Sequence, residues 1–354
     1  MYLLVLASPL WALSDGMYSA SVKVQSQSVS ERNRAAQEGL RQVLVRASGI
    51  TDLEQSKELP RVLANASRYM DQFQYQNNVD EYGDRVEQLM MSFTPAVIER
   101  VLQQAQLPLW PTNRPNVLVW LVADDADSGR RLVNDSEDEV VKGLLKGAAE
   151  RGLRLKWPLL DLEDQLAIAA DDVWTFEQDK ILEASERYKV DTVLVGRYTQ
   201  TSKGEWWTSW QFFHRGEQRF YDLRVEEGAA AGQQAMAPVA DYLAGLYSVF
   251  YGAEGQPQLQ IQISQIKDFA AFRGALNYLQ QVAVVTSYQL LAVTGSTLLL
   301  SAQLNGDVQQ LENAMSLDNK LRLEVVEHPA ADAPWIAVPS GTASNPLQLK
   351  WIGG

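Results

Sequence analysis

The sequence predicts a mixed α/β and α+β protein made of three consecutive small modules. Three observations carry that prediction. Apolar runs typical of strands alternate with stretches of helical periodicity along most of the chain. Proline and glycine clusters interrupt the alternation at Pro108, Pro111 and Pro115, and again at Gly252, Gly255 and Pro257. The 354 residues are also long for one core, at about 100–200 residues per domain.

The first module is expected over residues 17–107. Residues 18–28 alternate imperfectly and read as a strand. Ser28 and Glu31 fit a capping box, and Ala36, Leu40, Val43, Leu44 and Ala47 recur at helical spacing before Gly49. Arg32, Arg34, Arg41 and Arg46 on that helix read as a solvated face. Arg85–Phe93 looks extended, and Thr94-Pro95 then opens a helix whose face is Val97, Ile98, Val101, Leu102 and Ala105.

The second module is expected over residues 116–253. Val117–Val122 is an apolar run suited to a strand buried on both faces. An acidic loop follows, then a helix near Glu137–Arg151 and a strand at Leu153–Trp157. Two helices near 162–170 and 176–188 precede a buried strand at Thr192–Thr199. Trp206–Phe213 and Phe220–Val225 complete a meander, and a long helix carries Met236, Val239, Ala240, Leu243, Tyr247 and Phe250. Alternation followed by a meander implies a mixed sheet.

The third module, residues 257–326, reads as strand, helix, strand, strand, helix, strand. That is the ferredoxin-like βαββαβ order, on a sheet of four strands. Leu298, Leu300, Ala302 and Leu304 should share its buried face. Residues 327–354, rich in Pro, Ala, Ser and Gly, are expected to be a flexible tail.

Residues 1–14 read as a signal peptide: Tyr2–Leu13 is almost wholly apolar, and Ala12-Leu13-Ser14 offers small residues for cleavage after Ser14. No Lys or Arg precedes the run, so the initiator is expected a few residues upstream. The run is far shorter than the ~20 residues that span a bilayer. The expectation is an exported, periplasmic protein of a Gram-negative-type envelope, with no transmembrane segment.

Composition excludes several chemistries. With no cysteine and only His214 and His328, thiol nucleophiles, disulfides and Cys/His zinc sites are absent. His214 falls in what looks like a hairpin turn and His328 in the tail, so neither suggests a catalytic base. A net charge of −13 argues against binding a phosphate backbone, so no nucleic-acid partner is expected. There is no GxGxxG, P-loop or GxSxG, and no cofactor is expected.

Several segments together resemble the uncharacterised proteobacterial domain-of-unknown-function family twenty sixty-six. They are Gly39–Gly49, Pro108–Pro111 leading into Arg114–Leu121, Pro158–Asp164, and Arg187-Tyr188 leading to Val193–Arg197, with Trp206 and Trp210 beyond. The resemblance covers roughly residues 17–325 and implies an exported protein with no assigned activity.

The candidate binding residues are Trp206, Trp207, Trp210 and Arg197. In a strand Trp206 and Trp210 point to one face and Trp207 to the other. Exposed, they could anchor a partner protein or stack on sugar rings; otherwise at least one face is core. Asp124, Asp125 and Asp127 miss the register of a calcium loop and read as a solvated loop before a helix. Asp161 reads as an N-cap with Asp164 in the first turn, rather than a catalytic carboxylate pair. The expected function is a non-catalytic binding or scaffold module whose partner is an envelope protein, or a glycan. The alternative is a carboxylate-based glycan hydrolase or a glycan-binding regulator.

Overall fold

A computed structural model of the chain describes residues 16–79, 84–126, 128–250, 258–324, 340–343 and 345–353. Strand β1 (Ser19–Val24) alternates, so Ala20, Val22 and Val24 share a buried face. Helix α1 (Val29–Ser48) packs Ala36, Leu40, Val43, Leu44 and Ala47 against it. Ser28 accepts from the Glu31 amide, and Gly49 ends the helix in the left-handed conformation. Short helices α2 (Leu59–Ala64) and α3 (Ala66–Tyr69) precede β2 (Met70–Val79) and β3 (Arg85–Phe93). The three strands form an antiparallel sheet in the order β1-β3-β2. Helix α4 (Pro95–Gln104) follows with proline in its first turn, though the Thr94 side chain makes no capping bond. Strand β2 has no counterpart in the sequence reading. It is a mostly exposed edge strand, so its run of Gln and Asn carries no apolar alternation.

The middle segment contains β4 (Asn116–Asp125), β5 (Gly129–Leu132), α5 (Glu139–Arg151), β6 (Arg154–Lys156), α6 (Leu162–Ala167), α7 (Ala170–Trp174) and α8 (Gln178–Glu186). Then come β7 (Thr192–Gln200), β8 (Trp206–His214), β9 (Glu217–Val225) and α9 (Gly228–Tyr247). The sheet runs β5-β4-β7-β8-β9, with β6 also beside β4. Strand β4 is parallel to β6 and β7, and the other pairs are antiparallel, which makes the sheet mixed. On one face, Leu118, Trp120, Val122, Val193, Val195 and Phe213 form a core with the α6–α8 segment. On the other, Tyr242 of α9 stands edge-on to Phe212 at 5.5 Å, and the Tyr221 hydroxyl donates to the Ala235 carbonyl at 2.7 Å. Helices α5 and α9 cross at Gly143 and Gly232, where any side chain would strike the other helix's backbone.

Two compact units result: residues 1–105 with 114–242, and residues 106–113 with 243–354. The N-terminal and middle segments, read from the sequence as separate modules, thus share a unit. Two arginines account for that. Arg114 donates to the carbonyls of Arg151 and Arg46 at 2.9 and 2.7 Å, and Arg151 to the Gly49 carbonyl at 2.8 Å and to Asp241. The carbonyl ends of α1 and α5 are therefore held by buried guanidiniums, where the helix dipoles favour positive charge. Burial holds the Arg114 guanidinium down to about 9. Arg46 does not belong to a solvated face: it is half-buried and donates to the Met17 and Ser19 carbonyls.

The second unit contains β10 (Gln258–Ser264), α10 (Phe269–Gln281), β11 (Val285–Thr294), β12 (Thr297–Leu304), α11 (Val308–Asp318), β13 (Leu321–Leu323) and β14 (Leu347–Trp351). The βαββαβ order is present, and Leu298, Leu300, Ala302 and Leu304 are all buried. The sheet has five strands, in the order β11-β12-β10-β14-β13. Strand β14 is parallel to β10 and antiparallel to β13, so it separates the first and last strands of the motif. The tail expectation fails here. Leu347 and Leu349 alternate into the core, a pattern that the preceding prolines and small residues hide. The Ser14 cleavage site, Asp127, the Gly252/Gly255/Pro257 boundary and residues 325–339 lie outside the described residues.

Candidate functional site

The middle sheet delivers the four candidate residues to different places. Trp210 is fully buried, with its ring over Gly196, where a Cβ would overlap it. Trp206 shares that face, half-buried beside Tyr198 at 5.7 Å and Gly228. Trp210 is closed to a ligand and Trp206 is partly covered, because α9 packs against the face to which both point. Trp207, on the opposite face, is 44% exposed. Arg197 is opposite Ser209, and Thr199 opposite Trp207, so Arg197 and Trp207 belong to the same face.

That face is only half covered. The α6–α8 segment packs over β4 and the start of β7, then stops. Its last contribution is Trp174 and Phe176: the Arg197 guanidinium lies 5.4 Å from the Trp174 ring and 4.9 Å from the Phe176 ring. Arg197 also donates to the Trp174 carbonyl at 2.7 Å. Arg130 covers Trp174 at 4.6 Å and pairs with Asp171. Phe176 has φ +57°, an uncommon conformation for an aromatic residue, and this turn sets its ring edge-on to Phe220 at 6.2 Å.

Beyond Phe176 the sheet is open. Phe220 is 61% exposed on β9, the edge strand, and Arg224 lies over Trp207 at 4.6 Å. Between them Gln211 is buried, yet its Oε1 meets no donor among the described residues. A buried acceptor without a donor is costly, roughly 1–3 kcal/mol, unless something arrives to satisfy it. The arrangement can stack on flat or apolar groups, hold carboxylates with guanidiniums, and lend a sheet edge. Neither Phe220 nor Gln211 was singled out in the sequence; the alternation of β9 around Phe220 was the available signal.

The acidic groups are engaged elsewhere. Asp161 caps α6, and Arg187 bonds to it and pulls its carboxyl down to about 2. Asp164 is buried and accepts from Arg187 at 2.8 Å and from the Tyr188 hydroxyl at 2.6 Å. Burial, aided by that bond, pushes Tyr188 up to about 12. Arg187 and Tyr188 thus buckle Asp161 and Asp164 together at the start of α6. Asp124 and Asp125 pair with Arg130 and Arg131, and Asp138 caps α5. Among the described residues no group of three or more His, Asp or Glu could hold a metal. No helix there is long and apolar enough to cross a membrane.

His214 ends β8 and is buried, rather than lying in the turn. Its ring stacks with Phe212 at 6.3 Å, and its Nδ1 shares a hydrogen bond of 2.9 Å with the Thr192 hydroxyl. Burial lowers it to about 4.

Residues 12–111 match the family described as Domain of unknown function (DUF8605). This corrects the resemblance to family twenty sixty-six, which the match does not support. The segments that suggested it do ordinary work: Gly49 is a helix C-cap and Val117–Leu121 is a buried strand. Many α/β proteins need those residue types at such spacings. No curated protein matches the chain. A crystal structure of formyltetrahydrofolate deformylase from Burkholderia mallei is 10% identical, covering 58% of this chain and 97% of that one. Its TM-score is 0.20, which carries no argument.

Proposed function

We propose that the protein is an exported, non-catalytic binding module that captures an extended, acidic segment of another envelope protein along β9. The single observation that carries this reading is the open half of the middle sheet, with Trp207 and Phe220 exposed beside Arg197 and Arg224. Strand β9 ends its sheet, so its outer row of N–H and C=O groups can pair with a further strand. The face side chains of such a strand would meet aromatic rings and guanidiniums, which suit carboxylates and apolar groups together. Export rests on the apolar run before Ser14.

The test places a photoreactive residue at Phe220 and cross-links in intact cells. A discrete protein adduct should form and should fall sharply in a Trp207→Ala, Arg224→Glu double variant. No adduct, or an adduct unaffected by the double variant, would overturn the reading. Co-sedimentation with purified cell-wall glycan, lost in that variant, would favour glycan binding instead. Mass spectrometry of the mature protein decides export: a cytoplasmic chain beginning at Met1 would sink it.

A further inference from the structure

The second unit has a groove of about 1240 Å³ beside α10 and the β13–β14 end of the sheet. Its origin is the strand β14, which brings Trp351 up against Gly274 of α10, where a Cβ would collide with the indole. Residues 243–354 contain only five lysines and arginines, and four of them line this groove: Lys267, Lys320, Arg322 and Lys350. In a chain of net charge −13 that concentration is unusual. None of the four makes an ion pair among the described residues, whereas Arg130, Arg131, Lys142 and Arg187 in the first unit all do. Lys267, Lys320 and Arg322 are exposed.

The two carboxylates in the lining are already engaged. Asp268 caps α10 by accepting from the Ala271 amide at 2.7 Å, and Glu324 accepts from the Ser264 hydroxyl at 2.9 Å. The indole N–H of Trp351 is closed from solvent and meets no acceptor among the described residues. Tyr278 lies 6.4 Å from Trp351, and Lys320 sits over its ring at 5.4 Å.

We infer that this groove binds a small ligand bearing at least two oxyanion groups, carboxylate or phosphate. Arg322 and Lys350 pair across β13 and β14 on the side of the sheet away from Trp351, whereas Lys320 lies over Tyr278 of α10, so the cations flank the end of the sheet on two sides and one anionic group could not meet them all. A planar carboxylate or a phosphate suits Arg322, and ammonium groups tolerate either.

The experiment is calorimetric titration of the full-length chain with citrate and, separately, pyrophosphate; which one binds distinguishes a polycarboxylate from a phosphate source. At least one should bind saturably and more weakly as salt rises. An Arg322→Gln, Lys267→Gln variant, altered only at exposed positions, should weaken binding about tenfold or more. Trp207→Ala should leave the titration unchanged, which separates this site from the β9 face. If neither anion binds at millimolar concentration, or if binding survives the exposed-charge variant intact, the inference is wrong.

Discussion

Trp210 and Trp207 stand on the same strand with opposite surroundings. Trp210 lies over Gly196 on the face that α9 covers, and no part of it reaches solvent. Trp207 lies on the other face, past the point where Phe176 ends the covering segment, and keeps 44% of its surface. The closed face is assembled tightly: α5 and α9 touch backbone to backbone at Gly143 and Gly232, and His214 and Tyr221 are drawn beneath α9. The open face holds aromatic rings with guanidiniums against them, and its buried Gln211 acceptor meets no donor among the described residues. One side of the sheet is closed by α5 and α9, and the other is covered only over β4 and the start of β7.

The sharpest break of that contrast is Trp210→Ala. Removing a fully buried indole should cost about 4 kcal/mol, because the lost transfer energy adds to an unfilled cavity beside Gly196. Urea denaturation checks it, and a loss below about 1 kcal/mol would mean that the closed face is not the stabilising one.

The second contrast is in pH. His214 is held neutral by burial, from an ordinary 6.5 down to about 4. Its folded value lies below the unfolded one, so the unfolded chain binds the proton first. Stability from this group is complete above about pH 6.5, falls as pH drops toward 4, and levels off below that. The span is about 3 kcal/mol at most. Denaturation at pH 7 and pH 4.5 should show it as the difference between the wild type and His214→Gln, whose curve lacks this component. An equal acid loss in both would place His214 in a solvated setting.

The smallest effect is expected on the open face. Phe220→Ala should change stability by no more than about 0.5 kcal/mol, since most of the ring is already in water. A loss like that of Trp210→Ala would show that the open half is core after all, and would remove the basis for binding there.

Much of this architecture was legible in the chain. Helix α1 runs over the residues its apolar spacing and its Ser28 and Gly49 caps predict, and Val117–Val122 is the buried strand its composition requires. The βαββαβ order of the second unit followed from two helical stripes set between alternating runs. These are properties of neighbouring residues, and spacing reports them directly.

Other features depend on residues that are distant in sequence. Arg46 looked like a surface charge until the carbonyl ends of α1 and α5 met around Arg114 and Arg151. Leu347–Trp351 is a strand only because β10 and β13 leave a place between them. Trp206, Trp207 and Trp210 could be divided between two faces from their spacing alone. Which face is closed was decided by the reach of α9 on one side and the early end of the α6–α8 segment on the other. Local sequence determines periodicity and caps, whereas cover and pairing are set by whatever distant segment folds against them.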